Sequence, residues 1–164
     1  MRASLDQLDL KLLEHLQANN IQTADQLAEQ VGRSPSAVAR RLRRLRAIGA
    51  VANDVAVVSE EAAGHPLFAV VHIQLERHGP QEADRFRRQL IASENVQLCF
   101  DVSGAFDFLL LVVAADMDAY NAFADSMLGD QPVVCRFETT FVKKRGKATL
   151  ALPLGQLLRR VPGA

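Results

Sequence analysis

The chain has two cysteines, no tryptophan and one tyrosine in 164 residues. Cys99 and Cys135 stand far apart, each inside an apolar run. That excludes a disulfide framework or a cysteine metal set, and it points to a reduced, cytoplasmic protein without metal or cofactor. No apolar run approaches the roughly 20 residues that cross a bilayer. The N-terminus carries acids early and lacks the apolar core of an export signal, so no export is expected. Net charge is absent too: 19 Lys and Arg balance 19 Asp and Glu. The total therefore predicts no polyanionic partner. No phosphate loop, no metal-ligand spacing and no nucleophile–base pair stands out, which argues against an enzyme.

The distribution of charge says more than its sum. Residues 1–52 hold eight basic and five acidic residues, whereas 53–164 hold eleven and fourteen. Arg33, Arg40, Arg41, Arg43, Arg44 and Arg46 fall within one acid-free stretch. Such asymmetry between halves is a hint of nucleic-acid binding.

That stretch lies within three short helical patterns. Leu5, Leu8, Leu12 and Leu16, with Leu13, mark a first helix from about Asp6 to Ala18, stopped at Asn19-Asn20. Thr23 with Gln26 forms a capping box that opens a second, whose stripe is Ala24, Leu27, Ala28 and Val31. Gly32 turns the chain, Ser34 is a candidate N-cap and Pro35 suits a first helical position. The third helix turns Val38, Leu42, Leu45 and Ile48 inward and ends at Gly49. Two amphipathic helices around a glycine turn make a helix-turn-helix. The N-terminal part of its second helix meets base edges in the major groove, here Ser36, Ala37, Arg40 and Arg41. One arginine–guanine pair discriminates by ~1–3 kcal/mol. Arg44 and Arg33 suit the phosphate backbone, and Ser34 completes the expected DNA-binding set.

The rest of the chain changes period. Residues 53–66 read as a linker with a short extended piece at Val55, Val57 and Val58. Strands are expected over 67–75, 96–102, 106–113 and 133–142. Helices are expected over 82–91, with Ala83, Phe86, Leu90 and Ile91 on one side, and after Asp116 or Asp118. The order βαββαβ is ferredoxin-like. The whole is therefore α+β: a three-helix, winged-helix-like domain (1–52), the linker, a ferredoxin-like effector and oligomerisation domain (67–148) and a tail (149–164). Both faces of the central strands are apolar. Phe106, Phe108, Leu110 and Val112 alternate with Leu109, Leu111 and Val113. A large exposed apolar face is rare on a monomer, so a second copy of the sheet is expected to cover it, or else the tail. A dimer also suits paired recognition helices on double-stranded DNA.

These residues together resemble the Lrp/AsnC, or feast/famine, family of transcription regulators. The likeness rests on Leu5-Asp6-x-x-Asp9-x-x-x-Leu13, Leu27-Ala28-x-x-Val31-Gly32-x-Ser34-x-Ser36-x-Val38 and Arg41-x-x-x-Leu45-x-x-x-Gly49. It continues in Val102-Ser103-Gly104-x-x-Asp107 and in Thr139-Thr140-x-Val142, followed by Lys144 or Lys147 and Leu152-Pro153-Leu154. Phe106 supplies the aromatic that commonly precedes the aspartate of the glycine loop. The chain departs from the family where Asn20-Ile21-Gln22 replaces an Asp-Gly-Arg-like turn. The resemblance implies dimers that assemble into tetramers or octamers. It also implies a small-molecule effector, an amino acid or related metabolite, bound near Ser103, Gly104, Asp107, Thr139 and Thr140. Amides around Gly104 could receive a carboxylate and Asp107 an ammonium; alternatively Gly104 only turns the chain and Asp107 only caps the loop.

Two rivals remain at this level. A sirohaem-decarboxylase-like enzyme has a similar layout, but it calls for a pocket rich in His, Tyr, Arg and Trp. Here Tyr120 is expected on a helix, His15 and His78 at the surface, His65 in a loop and His72 in a strand. A ligand-responsive partner protein without DNA binding is the other rival, and the arginine cluster argues against it.

Overall fold

A computed structural model describes residues 5–76 and 79–157; His78 and the end of the tail lie outside the described residues. The chain divides into two compact units, 1–56 with 147–164, and 57–146.

In the first unit, α1 (Gln7–Ala18) begins with a reciprocal cap. The Asp9 amide donates to Asp6 Oδ1 at 2.8 Å, and the Asp6 amide donates to Asp9 Oδ2 at 3.1 Å. Helix α2 (Ala24–Val31) opens on the expected Thr23–Gln26 box. It closes at Gly32, whose φ of +64° a β-carbon would disfavour. Helix α3 (Pro35–Ala47) follows. The Ser34 hydroxyl does not cap it; that hydroxyl lies 3.4 Å from Ser36 Oγ instead. Leu12, Leu13, Leu16, Leu27, Ala28, Val38, Leu42 and Leu45 form the core. Ile48, expected to join them, is 40% exposed, because α3 ends at Ala47 and the backbone leaves the helical path before Ile48 can follow the stripe. The linker starts pinned: Arg46 Nε donates to Asp54 Oδ2 at 2.8 Å. Arg46 first, then Asn20, holds the Asp54 carboxyl below its usual range.

No strand forms over 53–66; Val55, Val57 and Val58 are exposed and unpaired with any neighbour strand. An isolated extended segment finds no partner for its ladder groups among the described residues.

The second unit is a four-stranded antiparallel sheet in the order β2-β3-β1-β4. Its strands are β1 (Leu67–Leu75), β2 (Val96–Asp101), β3 (Phe108–Ala114) and β4 (Val134–Phe141). Helix α4 (Pro80–Ala92) connects β1 to β2. Helix α5 (Met117–Ala124), capped by Asp116 and prolonged by a π-helical turn, leads to β4. This is the ferredoxin-like arrangement that the alternation of periods predicts. One face is closed: Ala69, Val71, Ile73, Phe108, Leu110, Val112 and Ala114 pack with Phe86, Leu90, Tyr120, Phe123 and Leu128. Ile91, expected on that side, is 62% exposed. Phe86 and Leu90, four apart, occupy the sheet-facing line, and the next residue turns away from it. The other face carries Phe68, Val70, Leu98, Leu109, Leu111 and Val113, and no element of this unit's own secondary structure covers it.

The tail joins the first unit. The Gln17 side-chain amide makes two hydrogen bonds with Leu152, donating to its carbonyl at 3.1 Å and accepting from its amide at 2.7 Å. The Gly155 amide donates to Glu14 Oε1 at 3.2 Å. A short helix, α6 (Leu154–Leu157), lays Leu154 against the three-helix core. The expectation that residues 149–164 might cover the sheet thus gives way, for the described part, to a strap on α1.

Candidate nucleic-acid interface and effector loop

The residues expected to read DNA do not share one fate. Ser36, Arg40 and Arg43 are exposed on the side of α3 away from the buried Val38, Leu42 and Leu45, and Ala37 is half-buried beside them. Arg33 is exposed at the turn, its Nη1 donating to the Gly32 carbonyl at 3.1 Å. Arg41 departs from the expectation. Its Nη1 donates to Asp6 Oδ2 at 2.6 Å and to Asp9 Oδ1 at 2.8 Å. Arg44 Nη1 reaches Asp9 Oδ2 at 2.9 Å. Asp9 is 1% exposed, the single buried charged side chain among those described. So Arg41 ties α3 to the start of α1. The reason is its spacing: it lies three residues after Val38 and four before Leu45, both fully buried, which sets it at the edge of the core stripe.

The electrostatics agree with this bracing. Asp6 is held below the ordinary carboxylate range, first by the Asp9 amide and, against some desolvation, by Arg41. Arg41 is pushed up by the same two acids. Asp6 and Asp9 belong to the opening motif of the sequence, yet their role went unread. Their signal was present: acids three apart at a helix start, facing arginines three apart on another helix.

In the second unit, the loop 102–107 holds Gly104 at a φ of +147°. Ser103 and Gly104 are exposed. Asp107 fastens the loop to the sheet. Its amide donates to the Ile73 carbonyl at 2.8 Å, its carbonyl accepts from the Val102 amide at 2.9 Å, and its Oδ2 accepts from the Leu75 amide at 2.8 Å. The carboxylate therefore caps the end of β1, while Oδ1 has no partner among the described residues.

Thr139 and Thr140 separate. Strand alternation puts Thr139 opposite Val71 on the helix side, where its hydroxyl bonds the buried Tyr120 hydroxyl; Thr140 sits opposite Val70 on the uncovered face. Adjacent strand residues point to opposite faces, so the two hydroxyls open to different sides of the sheet. What stands beside the glycine loop on the uncovered face is a different set. Phe106 lies 5.1 Å from the His72 ring and 5.2 Å from the Arg136 guanidinium carbon, and Arg136 Nε donates to Gln74 Oε1 at 2.9 Å. Alternation along β1 and β4 was the signal for His72, Gln74 and Arg136. Their meeting with Phe106 required the register of the sheet.

Comparison with known proteins agrees with both halves. A winged helix-turn-helix DNA-binding family matches residues 5–51, and the Lrp/AsnC ligand binding domain matches residues 68–152. The chain is 39% identical over 150 residues to an uncharacterised HTH-type transcriptional regulator of Sinorhizobium fredii, covering 92% of this chain and 89% of that protein. It is 34% identical over 151 residues to the leucine-responsive regulatory protein of Haemophilus influenzae, covering 92% and 91%. Among solved structures, a transcriptional regulator of Neisseria meningitidis in complex with L-Met superposes with a TM-score of 0.87 at 32% identity, covering 94% of this chain and 99% of that one. A shared two-part layout, matched end to end by sequence and by fold, means that the chain belongs to the Lrp/AsnC family of transcription regulators.

Proposed function

We propose that this protein is a sequence-specific, DNA-binding transcription regulator whose grip on DNA answers to an amino acid or a related metabolite. The observation that carries the reading is the outward face of α3. Ser36, Arg40 and Arg43 stand exposed on a helix whose inner edge is locked by Arg41 and Arg44 to the buried Asp9. A braced helix presents its guanidinium groups with little further loss of backbone freedom on binding, which favours base readout. Arg40 reads bases with Ser36 and Ala37 beside it, while Arg33 serves phosphate and Ser34 adjoins it at the turn.

The effector reading rests on the loop and its neighbours. The exposed Ser103 and Gly104, the Asp107 Oδ1 that no described residue engages, Thr140 and the Arg136 guanidinium offer both donors and an acceptor. That is the pairing a zwitterion needs. One relative is named leucine-responsive and another was solved with L-Met, which favours an amino acid. The uncovered sheet face supports a homodimer closed sheet to sheet, and dimers assembling further to tetramers or octamers. The work is that of a cytoplasmic binding protein rather than an enzyme.

Fluorescence anisotropy on promoter fragments tests the first part. Arg40→Ala is expected to lower the preference for the bound site by about 5–150-fold; an unchanged preference would remove Arg40 from the interface. For the effector, a thermal-shift series across the amino acids should show stabilisation by at least one, by mass action. Arg136→Gln should abolish that shift.

A further inference from the structure

Strand β4 ends the sheet on one side and leaves an edge open. It is last in the order β2-β3-β1-β4, so among the described residues no strand pairs with its outer side. The Val142 amide donates to the Phe68 carbonyl at 2.9 Å. Along an antiparallel pair, residues alternate between bonding the neighbour and facing away from it. Thr140, Glu138 and Arg136 therefore turn their backbone groups toward β1, and Phe141, Thr139 and Phe137 turn theirs outward. Open edges are commonly blunted by proline, lysine or a short length. Residues 134–141 hold neither proline nor lysine, and the strand is eight residues long. Its irregularity, at Cys135, lies near its start. Two aromatic rings, Phe137 and Phe141, stand exposed on the helix-facing side of this edge. All of these residues belong to the second unit.

The charges on the strand select its partner. Arg136 and Glu138 share the uncovered face, opposite Gln74 and His72. A second copy, related by a two-fold axis perpendicular to the sheet, pairs only residues that share a face. Two such registers pair all but one of the eight residues, one centred on Phe137 and the other on Glu138. The register centred on Glu138 sets that carboxylate against its own copy. The register centred on Phe137 sets Arg136 of each chain against Glu138 of the other, with the two Phe137 residues meeting at the axis. Centring on Arg136 opposes two guanidinium groups and pairs fewer residues. Like charges directly opposite destabilise a strand pair, and unlike charges stabilise it.

We propose that β4 pairs edge to edge with β4 of a second copy, in the register that opposes Arg136 and Glu138, so that the two sheets become one. The outward amide and carbonyl of Phe137 supply the central hydrogen bonds. This contact uses the edge of the strand and leaves the apolar face free. It is therefore separate from closure sheet to sheet, does not depend on it, and is able to join such pairs to one another.

Sedimentation velocity of the full-length protein tests the pairing with Glu138→Arg and Arg136→Glu. Each reversal places like charges opposite one another and should weaken the contact at least ~10-fold. The mass should halve at a concentration where the parent is associated. The two variants are complementary to each other, so mixing them in equal amounts should recover the parent mass. Leu111→Arg acts on the sheet face and should not prevent that recovery of partners through the edge. An unchanged mass in either reversal, or a parent that is already monomeric, overturns the pairing. Reversals that halve the mass but are not rescued by mixing also overturn it, because the two charges would then act elsewhere than on each other.

Discussion

Arg40 and Arg41 are neighbours with the same side chain, and the fold sends them to different work. Arg40 faces outward; Arg41 joins Asp6 and Asp9. Arg41→Ala leaves the buried Asp9 with Arg44 as its remaining arginine partner and should destabilise the first unit by about 1–3 kcal/mol. Arg40→Ala should leave stability within ~0.5 kcal/mol while weakening DNA binding. Urea unfolding followed by circular dichroism separates the two; equal stability losses would contradict the Arg41 tie. Asp6 adds a pH signature. A carboxyl held below its ordinary value stabilises the fold above the unfolded aspartate range, near ~3.9, and that contribution is lost as pH falls through the lowered value. An Asp6→Asn variant should therefore be less stable than the parent at neutral pH, and the gap should close in acid. A gap that persists unchanged at low pH would mean that the effect is not ionic.

At the scale of elements, the three helices and four strands follow from patterns short enough to read directly: the Thr23–Gln26 box, Gly32, Pro35 and the alternation along β1 and β3. The strap does not. Leu150-Ala-Leu-Pro-Leu154 has no periodicity of its own, and its partner Gln17 lies 135 positions away in the chain. Because Leu154 packs on the helical core, Leu154→Ala should destabilise the first unit by about 1–2 kcal/mol, less than a fully buried leucine would. Removing the chain from Thr149 onward should speed amide exchange along α1, measured by mass spectrometry, while the sheet is unaffected. Unaltered exchange in α1 would show the strap to be dispensable. Element boundaries shifted for a related reason. The expected third strand loses its first two residues because Asp107 spends its backbone and carboxylate on the loop and on β1.

For the whole molecule the question is the uncovered sheet face. Leu111 lies near its middle, opposite Val70 on one side and Leu98 on the other. Leu111→Arg places a charge where a second copy is expected. A buried, unpaired charge costs several kcal/mol, so dimer affinity should fall at least ~100-fold by sedimentation velocity. An unchanged mass would show that this face is not the interface. Both apolar faces of the central strands were legible from alternation alone, except that Phe106, expected beside Phe108, lies outside β3 and meets His72 on the opposite face.

The sequence by itself determined the helices of the head, the Thr23–Gln26 cap and the Gly32 turn, the βαββαβ order, and the existence of an arginine-rich helix and of a glycine loop before the third strand. All of these depend on residues within a turn or two of one another, where spacing is geometry. Only the tertiary structure decided that Arg41 pairs with Asp6 and Asp9, that Thr139 and Thr140 part company, that Phe106 meets His72 and Arg136, and that the tail returns to α1. Those outcomes depend on which distant side chain arrives at a given place, and the fold sets that through helix packing and strand register.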